Sequence, residues 1–458
     1  MIHIVMLCHD QHLDRRVIAQ GYSLTQLSHK VTLFCLSHTS DDEEEHLPEG
    51  IHVIRIGLKN IIPENTIYKH YTALQTNLNN VLNQLCNQIN KAKPIWKAGY
   101  KLLSRINWFT YKLSLSIRYF NRTMGDPLPF RKAFFTAAYD YKADIIQVHD
   151  LPALEAGASL AKKWGVPLVY DAHELYSEQR SFSWVQRRIC ERIEKKLIRS
   201  CSKVFAVNDS IAEEMMTRYG ISRPITLINA LDPLPEYNVK HSYNILREKL
   251  NIDAGRKILL FQGGFSPHRN LENLIKAIKL VKNPDVDLVM MGFGDFGALL
   301  QNLAKKLGLL NKRIYFLPAV PQAELLQHSA SADVGIIPYP HVDLNSFYCT
   351  PNKLFEFIQA GLPILANDSP ELRRFIHDIG FGLVKPMHTS RQIASAIDQI
   401  FADPKRYQSY REQLINKRYA FTWKAQSNVY LGIIQSFLNI DSTEILEPSL
   451  KQSSRKTV

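Results

Sequence analysis

The stretch Cys349-Thr-Pro-Asn-Lys-Leu-Phe-Glu-Phe-Ile-Gln-Ala-Gly-Leu-Pro363 sets a cation, Lys353, and a carboxylate, Glu356, one turn apart at the entry of a helical run. Pro351 is a favoured residue just before such a run, and Gly361 suits the cap that ends it. Backbone N–H groups exposed around Asn352 and Leu354 would attract phosphate, and Lys353 adds a full positive charge at the same end. Glu356 would repel phosphate. It is better explained by accepting hydrogen bonds from hydroxyls, such as those of a ribose, so the segment reads as a grip for a nucleoside diphosphate. The alternative is a capped surface helix whose Glu356 complements the macrodipole, and this segment alone leaves both readings open.

Two glycine turns bear on the choice. Phe261-Gln-Gly-Gly-Phe-Ser-Pro-His-Arg-Asn270 follows a strand pattern and precedes the helical pattern Leu271 to Val281. Gly263 and Gly264 lack a Cβ and let a ligand approach the backbone, while Arg269 at the helix entry can bind a diphosphate through two N–H groups. Val289-Met-Met-Gly-Phe-Gly-Asp295 repeats the pattern with Gly292 and Gly294 but lacks the third glycine of a dinucleotide fingerprint. Either turn by itself is ordinary βα geometry; with the Pro351 to Glu356 entry they make a coherent phosphate-lined cleft.

The first half carries titratable clusters at strand ends: His149-Asp-Leu-Pro152, Asp171-Ala-His173-Glu174, and a first loop with His9, Asp10, His12, Asp14 and Arg15. Histidine and carboxylate are metal ligands, but no HExxH or comparable pattern occurs, so no metal site is expected. A neutral His149 donating to a sugar hydroxyl or the reacting centre fits better. Asp285-x-Asp287 sits at a strand entry, on the wrong rim for such chemistry.

Short β-branched runs alternate with helical patterns and must position these groups. Ile2–Leu7, Lys30–Leu36, Ile51–Ile56, Ile145–Val148, Leu168–Tyr170 and Val204–Val207 are the strands expected in a first half; Ile258–Gln262, Asp287–Met291, Arg313–Phe316, Val334–Ile337 and Pro363–Ala366 those in a second. Strands separated by helices imply parallel sheets, hence an α/β protein of two Rossmann-like, doubly wound domains facing across a cleft. The expected division is 1–228, with a helical insertion at about 58–142; 240–405; helices at 406–440 crossing back to the first domain; and a polar, disordered tail at 441–458. The acidic run Asp41 to Glu45 reads as a solvated loop.

A chain of 458 residues with 45% hydrophobic residues exceeds one core, and no apolar run approaches the roughly 18 to 20 residues that span a bilayer. Met1 to Leu7 reads as a buried strand, not a signal peptide. Six scattered cysteines suggest neither a disulfide framework nor zinc, and a reducing cytoplasm is the simpler setting. The net charge of +13 calls for an acidic partner. Lys91 to Lys132 holds ten Lys or Arg against one acid, Asp126, beside a helical face of Leu102, Ile106, Phe109, Leu113, Ile117 and Phe120. That suits the inner face of an anionic membrane; the equal alternative is a stripe packed on the domain body with solvated lysines. Nucleic acid is not expected, since no recognisable binding module accompanies the charge.

Taken in order, Asp14-x-Arg-Val17, His149-Asp-Leu-Pro-Ala-Leu154, Tyr170-Asp-Ala-His-Glu-Leu-Tyr176, Gln262-Gly-Gly264, Phe316 to Val320 and Pro351-Asn-Lys-Leu-Phe-Glu356 resemble the motifs of the retaining glycosyltransferases of family 4, which have the two-domain GT-B architecture. Phe421-Thr-Trp423 resembles the family's returning C-terminal segment. The family's pair of glutamates with seven residues between them is altered: Glu356 matches the second, but Tyr348 stands for the first. Its arginine after the first donor-domain strand falls near Gly263 and Gly264, leaving Arg269 where a second basic residue sits; similar branches share both changes. The resemblance implies transfer of a sugar from a nucleotide sugar, UDP-linked, to an acceptor hydroxyl of a lipid-linked or cell-surface glycan, with retention and without a metal or other cofactor. Lys353, Arg269 and the glycine-loop amides would stabilise the leaving diphosphate, Glu356 the ribose, Phe316 to Val320 the base, and His149 the sugar. Asp14, Arg15, His173 and Glu174 would shape the acceptor side. A sugar-nucleotide epimerase on the same fold, a metal-dependent hydrolase and a non-catalytic nucleotide- or membrane-binding scaffold are the alternatives.

Overall fold

The computed structural model describes residues 1–57, 59, 76–77, 80–81, 105–106, 108–109 and 126–438. Most of the basic stretch 91–132 and the tail 441–458 therefore lie outside the described residues. Arg131, inside them, is ion-paired to Asp126 and Glu155, each at 3.0 Å, so it serves the fold of its own domain.

The first sheet contains β1 (His3–Cys8), β2 (Lys30–Leu36), β3 (Glu43–His46), β4 (His52–Ile56), β5 (Ile145–His149), β6 (Leu168–Ala172), β7 (Lys203–Ala206) and β8 (Ile225–Thr226), in the order β3-β4-β2-β1-β5-β6-β7-β8. The second contains β9 (Lys257–Gly264), β10 (Val286–Phe293), β11 (Ile314–Pro318), β12 (Val334–Ile337), β13 (Ile364–Asn367) and β14 (Gly382–Lys385), in the order β11-β10-β9-β12-β13-β14. Central strands are parallel and read as unbroken apolar runs, because helices cover both faces. Val5, Leu7, Phe34, Ile146 and Val148 anchor one core; Leu259, Phe261, Leu274, Leu288 and Met290 anchor the other.

The acidic run is a loop only at Asp41 and Asp42, which are irregular and exposed; from Glu43 it is a strand. Glu43–His46 pairs antiparallel with β4 as an exposed edge strand, for a reason that is electrostatic rather than apolar. Arg55 Nε donates to Glu45 Oε1 at 2.7 Å, and His52 Nε2 lies 2.5 Å from Glu44 Oε1. Cross-strand pairs of opposite charge stabilise such an edge, and the charges also discourage further strands from adding to it.

The compact units follow contacts rather than chain order. One gathers Met1–Val17, Lys30–Ile225 and Pro340–Cys349; the other gathers Ile18–His29, Thr226–Tyr339 and Thr350–Val458. Most of helix α1 (Arg15–Thr25) thus belongs with the second unit. Its Ser23 Oγ accepts a hydrogen bond at 2.8 Å from Trp423 Nε1 of the last helix, Trp423–Ser436.

Candidate active site

In the second sheet the strand order reverses between β9 and β12, so the chains leaving those two strands diverge and open a crevice at their carboxyl ends. β9 ends at Gly263-Gly264 and its loop runs on to Asn270, and the loop after β12 begins Pro338-Tyr339. Gly263 has φ +117°, a conformation side chains disfavour, and a Cβ there would stand 3.4 Å from Lys353 Nζ and 3.9 Å from Arg269 Nη1. Arg269 Nη1 donates to the Tyr339 hydroxyl at 2.9 Å. Lys353 Nζ lies 3.7 Å from the centre of the Phe261 ring and 4.7 Å from that of Tyr339, which also lies 5.2 Å from the Arg269 guanidinium carbon. Ring faces attract cations, so one aromatic frame holds both charges beside the glycine backbone.

Helix α2 (Asn352–Ala360) begins at Pro351, which offers no capping side chain. Asn352 is exposed, and its Oδ1 accepts from Asn229 Nδ2 at 2.5 Å. The half-buried Glu356 accepts from Gln262 Nε2 at 2.6 Å, and Gln262 is itself fixed by Ser329 Oγ at 2.7 Å. Its carboxylate is therefore aimed before any ligand arrives.

Some expected contacts need correction. Leu354 is fully buried and its N–H donates to Pro351 O at 2.8 Å, so it has no group left for a ligand. Gly292 and Gly294 answer a demand from the protein itself. A Cβ on Gly292 would lie 1.9 Å from Gly263 O, and one on Gly294 2.5 Å from Phe265 O, where β9 and β10 run together to their ends. Phe316 packs edge-on against Phe265, and Val320 is half-buried beyond β11. Tyr348 counts with the first unit: its carbonyl accepts from Asn208 Nδ2 at 2.7 Å and its ring packs on that unit's core. Asp287, of the discarded acidic pair, is held by Arg256 at 2.5 Å.

The first sheet reverses between β1 and β5, and its cluster forms there. Arg16 Nε and Nη2 donate to the two carboxylate oxygens of Asp171, both residues being essentially inaccessible. Asp14 instead caps α1, its Oδ1 accepting from Arg16 N at 2.8 Å. The neighbouring Arg15 is half-buried at the helix start. Arg15 is the residue expected on the acceptor side, whereas the buried pair is made by Arg16, the arginine of the Asp14-x-Arg-Val17 motif. The usable signal was helical spacing: Arg16, Gln20 and Leu24 recur every four residues and are all buried.

His149 is completely buried, which removes the direct sugar contact expected of it. Its Nδ1 lies 3.2 Å from His173 Nε2 and 3.5 Å from Asp171 Oδ2, and its Nε2 faces the Gln147 amide at 3.2 Å. A β5 residue between covered faces has nowhere to turn but inward, so the accessible imidazole of the pair is His173, 16% exposed. Asp150 adopts φ +58°, a strained value for a residue with a side chain, and its Oδ1 accepts from His173 N at 2.8 Å. Glu174 accepts from Gln179 and, at 2.6 Å, from Asn345, a residue that gave no sequence signal.

Burial alone would discharge both imidazoles. It wins at His149, whose pKa falls; at His173 the carboxylates of Asp150 and Asp171 outweigh it and hold the pKa at about 9. Burial pushes Asp150 up to about 8 against the opposing pull of His173, while Asp171 stays well below the usual carboxylate range, burial being overcome by Arg16 and His173. Beside the ionised Asp171 the charged form of His173 is favoured despite burial. Because its folded pKa lies above its unfolded one, its contribution to stability is complete below about pH 6.5 and disappears as pH rises through 9. Titration of His173 followed by NMR should show a midpoint near 9 that moves down in Asp150→Asn; a midpoint at the ordinary value would refute the charge assignment.

His149, Asp171 and His173 each offer one ligand atom within 4.8 Å of the others, a spacing a metal would accept. Asp171, however, already has both oxygens on a buried guanidinium. A divalent ion there would sit against a fixed positive charge, so the donors fit a hydrogen-bonded network better than a metal centre. Among the described residues, no helix is long and apolar enough to cross a membrane.

The sequence profile described as "Glycosyl transferases group 1" matches residues 242–417, and "Glycosyltransferase Family 4" matches 101–230. An uncharacterised glycosyltransferase of Methanocaldococcus jannaschii is 24% identical over 290 residues, 60% of this chain and 69% of its own length. D-inositol 3-phosphate glycosyltransferase of Nocardia farcinica is 25% identical over 315 residues, 64% of this chain and 66% of the relative. Among solved structures, sucrose-phosphate synthase of Thermosynechococcus elongatus superposes with TM-score 0.66 at 18% identity, covering 96% of this chain and 99% of that one. Anabaena HepE in complex with UDP gives 0.62 at 14% identity, covering 95% and 100%. The chain belongs to family 4 of the glycosyltransferases and has the GT-B fold.

Proposed function

We propose that this enzyme transfers a sugar, with retention, from a UDP-linked donor to an acceptor hydroxyl in lipid-linked or cell-surface glycan synthesis, using no resident metal. The observation that carries the reading is the convergence of Lys353 and Arg269 on the Gly263 backbone. Two fixed cations beside N–H groups match a diphosphate whose charge grows as the bond from the anomeric carbon to the phosphate oxygen breaks. That oxygen leaves with the bonding electrons. The acceptor oxygen bonds to the anomeric carbon on the same face, and its proton passes to the departing phosphate. Glu356 accepts from the ribose hydroxyls, Pro351 and Asn352 present the helix entry to phosphate, and Phe316 and Val320 border the base. His173, oriented by His149, and Glu174 serve the acceptor, with Asp14 and Arg16 holding the loop that carries them. The UDP preference is supported by the neighbour solved with UDP.

The test is a thermal-shift screen against nucleoside diphosphates and their sugars. A ligand of the native state at about a hundred times its Kd stabilises by about 2.7 kcal/mol, so UDP should raise the melting temperature and uridine should not. Turnover should need an acceptor and survive chelator. Epimerised donor without acceptor would support the epimerase instead, and loss of activity with chelator the metal hydrolase.

Tyr339 gives a finer prediction. Tyr339→Phe keeps the ring faced by Lys353 but removes the hydroxyl that receives Arg269. A hydrogen bond to a charged group contributes about 1.5–3 kcal/mol, so kcat/KM should fall roughly 10- to 100-fold, with KM for the donor rising. Unchanged kinetics would mean that Arg269 needs no such support.

A further inference from the structure

Helix α3 (Trp184–Leu197) is fixed firmly on one side. Ser183 and Gln186 form a capping box at its start. On its inner face the buried Glu194 carboxylate accepts from the hydroxyls of Tyr170 and Tyr219, both at 2.7 Å. The opposite face must point outward, and its composition is unusual. Trp184 is 72% exposed at the N-terminal end. Arg188, Arg192 and Lys195 follow at intervals of three or four, and line one shallow groove with Trp184, Val185 and Ile189. Lys196 and Arg199 extend the exposed positive charge beyond them. Glu191 is the one acid on this face, and it is ion-paired to Arg188 at 3.1 Å.

We propose that this face of α3 docks on an anionic lipid bilayer. A tryptophan so exposed on a rigid helix costs solvation unless an interface takes it up, and indole rings favour the headgroup level of membranes. Basic side chains following the ring along the helix can lie along the surface with their charges among lipid phosphates while Val185 and Ile189 shield apolar area. A second copy of this chain fits poorly, because a symmetric contact would oppose like charges. The surface is separate in sequence from the basic stretch 91–132 and from every residue given a role in transfer.

The full-length protein should sediment with vesicles of phosphatidylcholine containing phosphatidylglycerol, and weakly with phosphatidylcholine alone. Added salt should release it. The triple variant Arg188→Glu, Arg192→Glu, Lys195→Glu should lower the partition coefficient a hundredfold or more, at about one power of ten or less per charge. Trp184→Ser should lower it several-fold without changing the salt dependence. Neither variant should alter the UDP-induced thermal shift, so loss of folding and loss of docking are distinguishable, and the proposal stands even if the donor is not UDP. Equal sedimentation of wild type and triple variant, equal binding to both kinds of vesicle, or binding lost only on deletion of 91–132 would overturn it. So would capture by RNA with no affinity for vesicles.

Discussion

Lys353→Met should reduce kcat/KM by about a hundred- to a thousandfold while the melting temperature of the unliganded protein changes little. Removing one preorganised donor from a site where negative charge develops costs on that scale. Lys353 is 5% exposed, its ammonium enclosed between the Phe261 ring and the Gly263 backbone, so methionine fills nearly the same volume and opens no cavity. A charged group kept in such an enclosure is poorly explained by stability alone, since a buried cation bears a desolvation cost that an apolar isostere avoids. Arg269→Lys should be less severe, retaining the charge but losing the planar fork that can engage two phosphate oxygens. Steady-state kinetics with donor and acceptor, paired with thermal melts, measure both. If Lys353→Met kept activity within a few-fold, the diphosphate reading of the crevice would collapse.

The parts of this arrangement that were legible in the sequence are those with a local signature. Apolar β-branched runs gave the central strands to within a residue or two, because a strand buried on both faces has one sequence solution. Pro351 and Gly361 announced a helix entry and its end, and Gly263 a backbone open to close approach, each a requirement that few residues meet. The edge strands Glu43–His46 and Gly382–Lys385 were missed, since short edges need no apolar run. Tyr339 and Asn345 were missed for a different reason. They matter through partners far along the chain, Arg269 and Glu174, and only strand order brings them together. His149 carried the right motif and the wrong exposure: a histidine ending a central strand can face a ligand or the core, and spacing does not distinguish the two.

The same strand order sets the fully buried Asp171 opposite Arg16, so its charge bears directly on folding of the first unit. Asp171→Asn preserves shape and removes only the charge opposite Arg16. Breaking a buried pair by one partner costs about 3–5 kcal/mol, because the remaining ion is left uncompensated. For a domain of this size that is a fall in melting temperature on the order of 10 °C. Arg16→Met in the same background should recover most of the loss, since a pair replaced by apolar groups of similar volume is often neutral. Recovery separates electrostatics from packing: if packing were at fault, two substitutions would be worse than one. His173 supplies a second readout, as losing the Asp171 carboxylate removes one of the two charges that hold its imidazolium, and its NMR midpoint should drop in the single variant. The double variant should therefore fold well and still show a lowered His173 midpoint, which would place the value of the pair in setting the charge of the His173 imidazole rather than in stability. A double variant no more stable than Asp171→Asn, measured by thermal and denaturant unfolding, would sink this account.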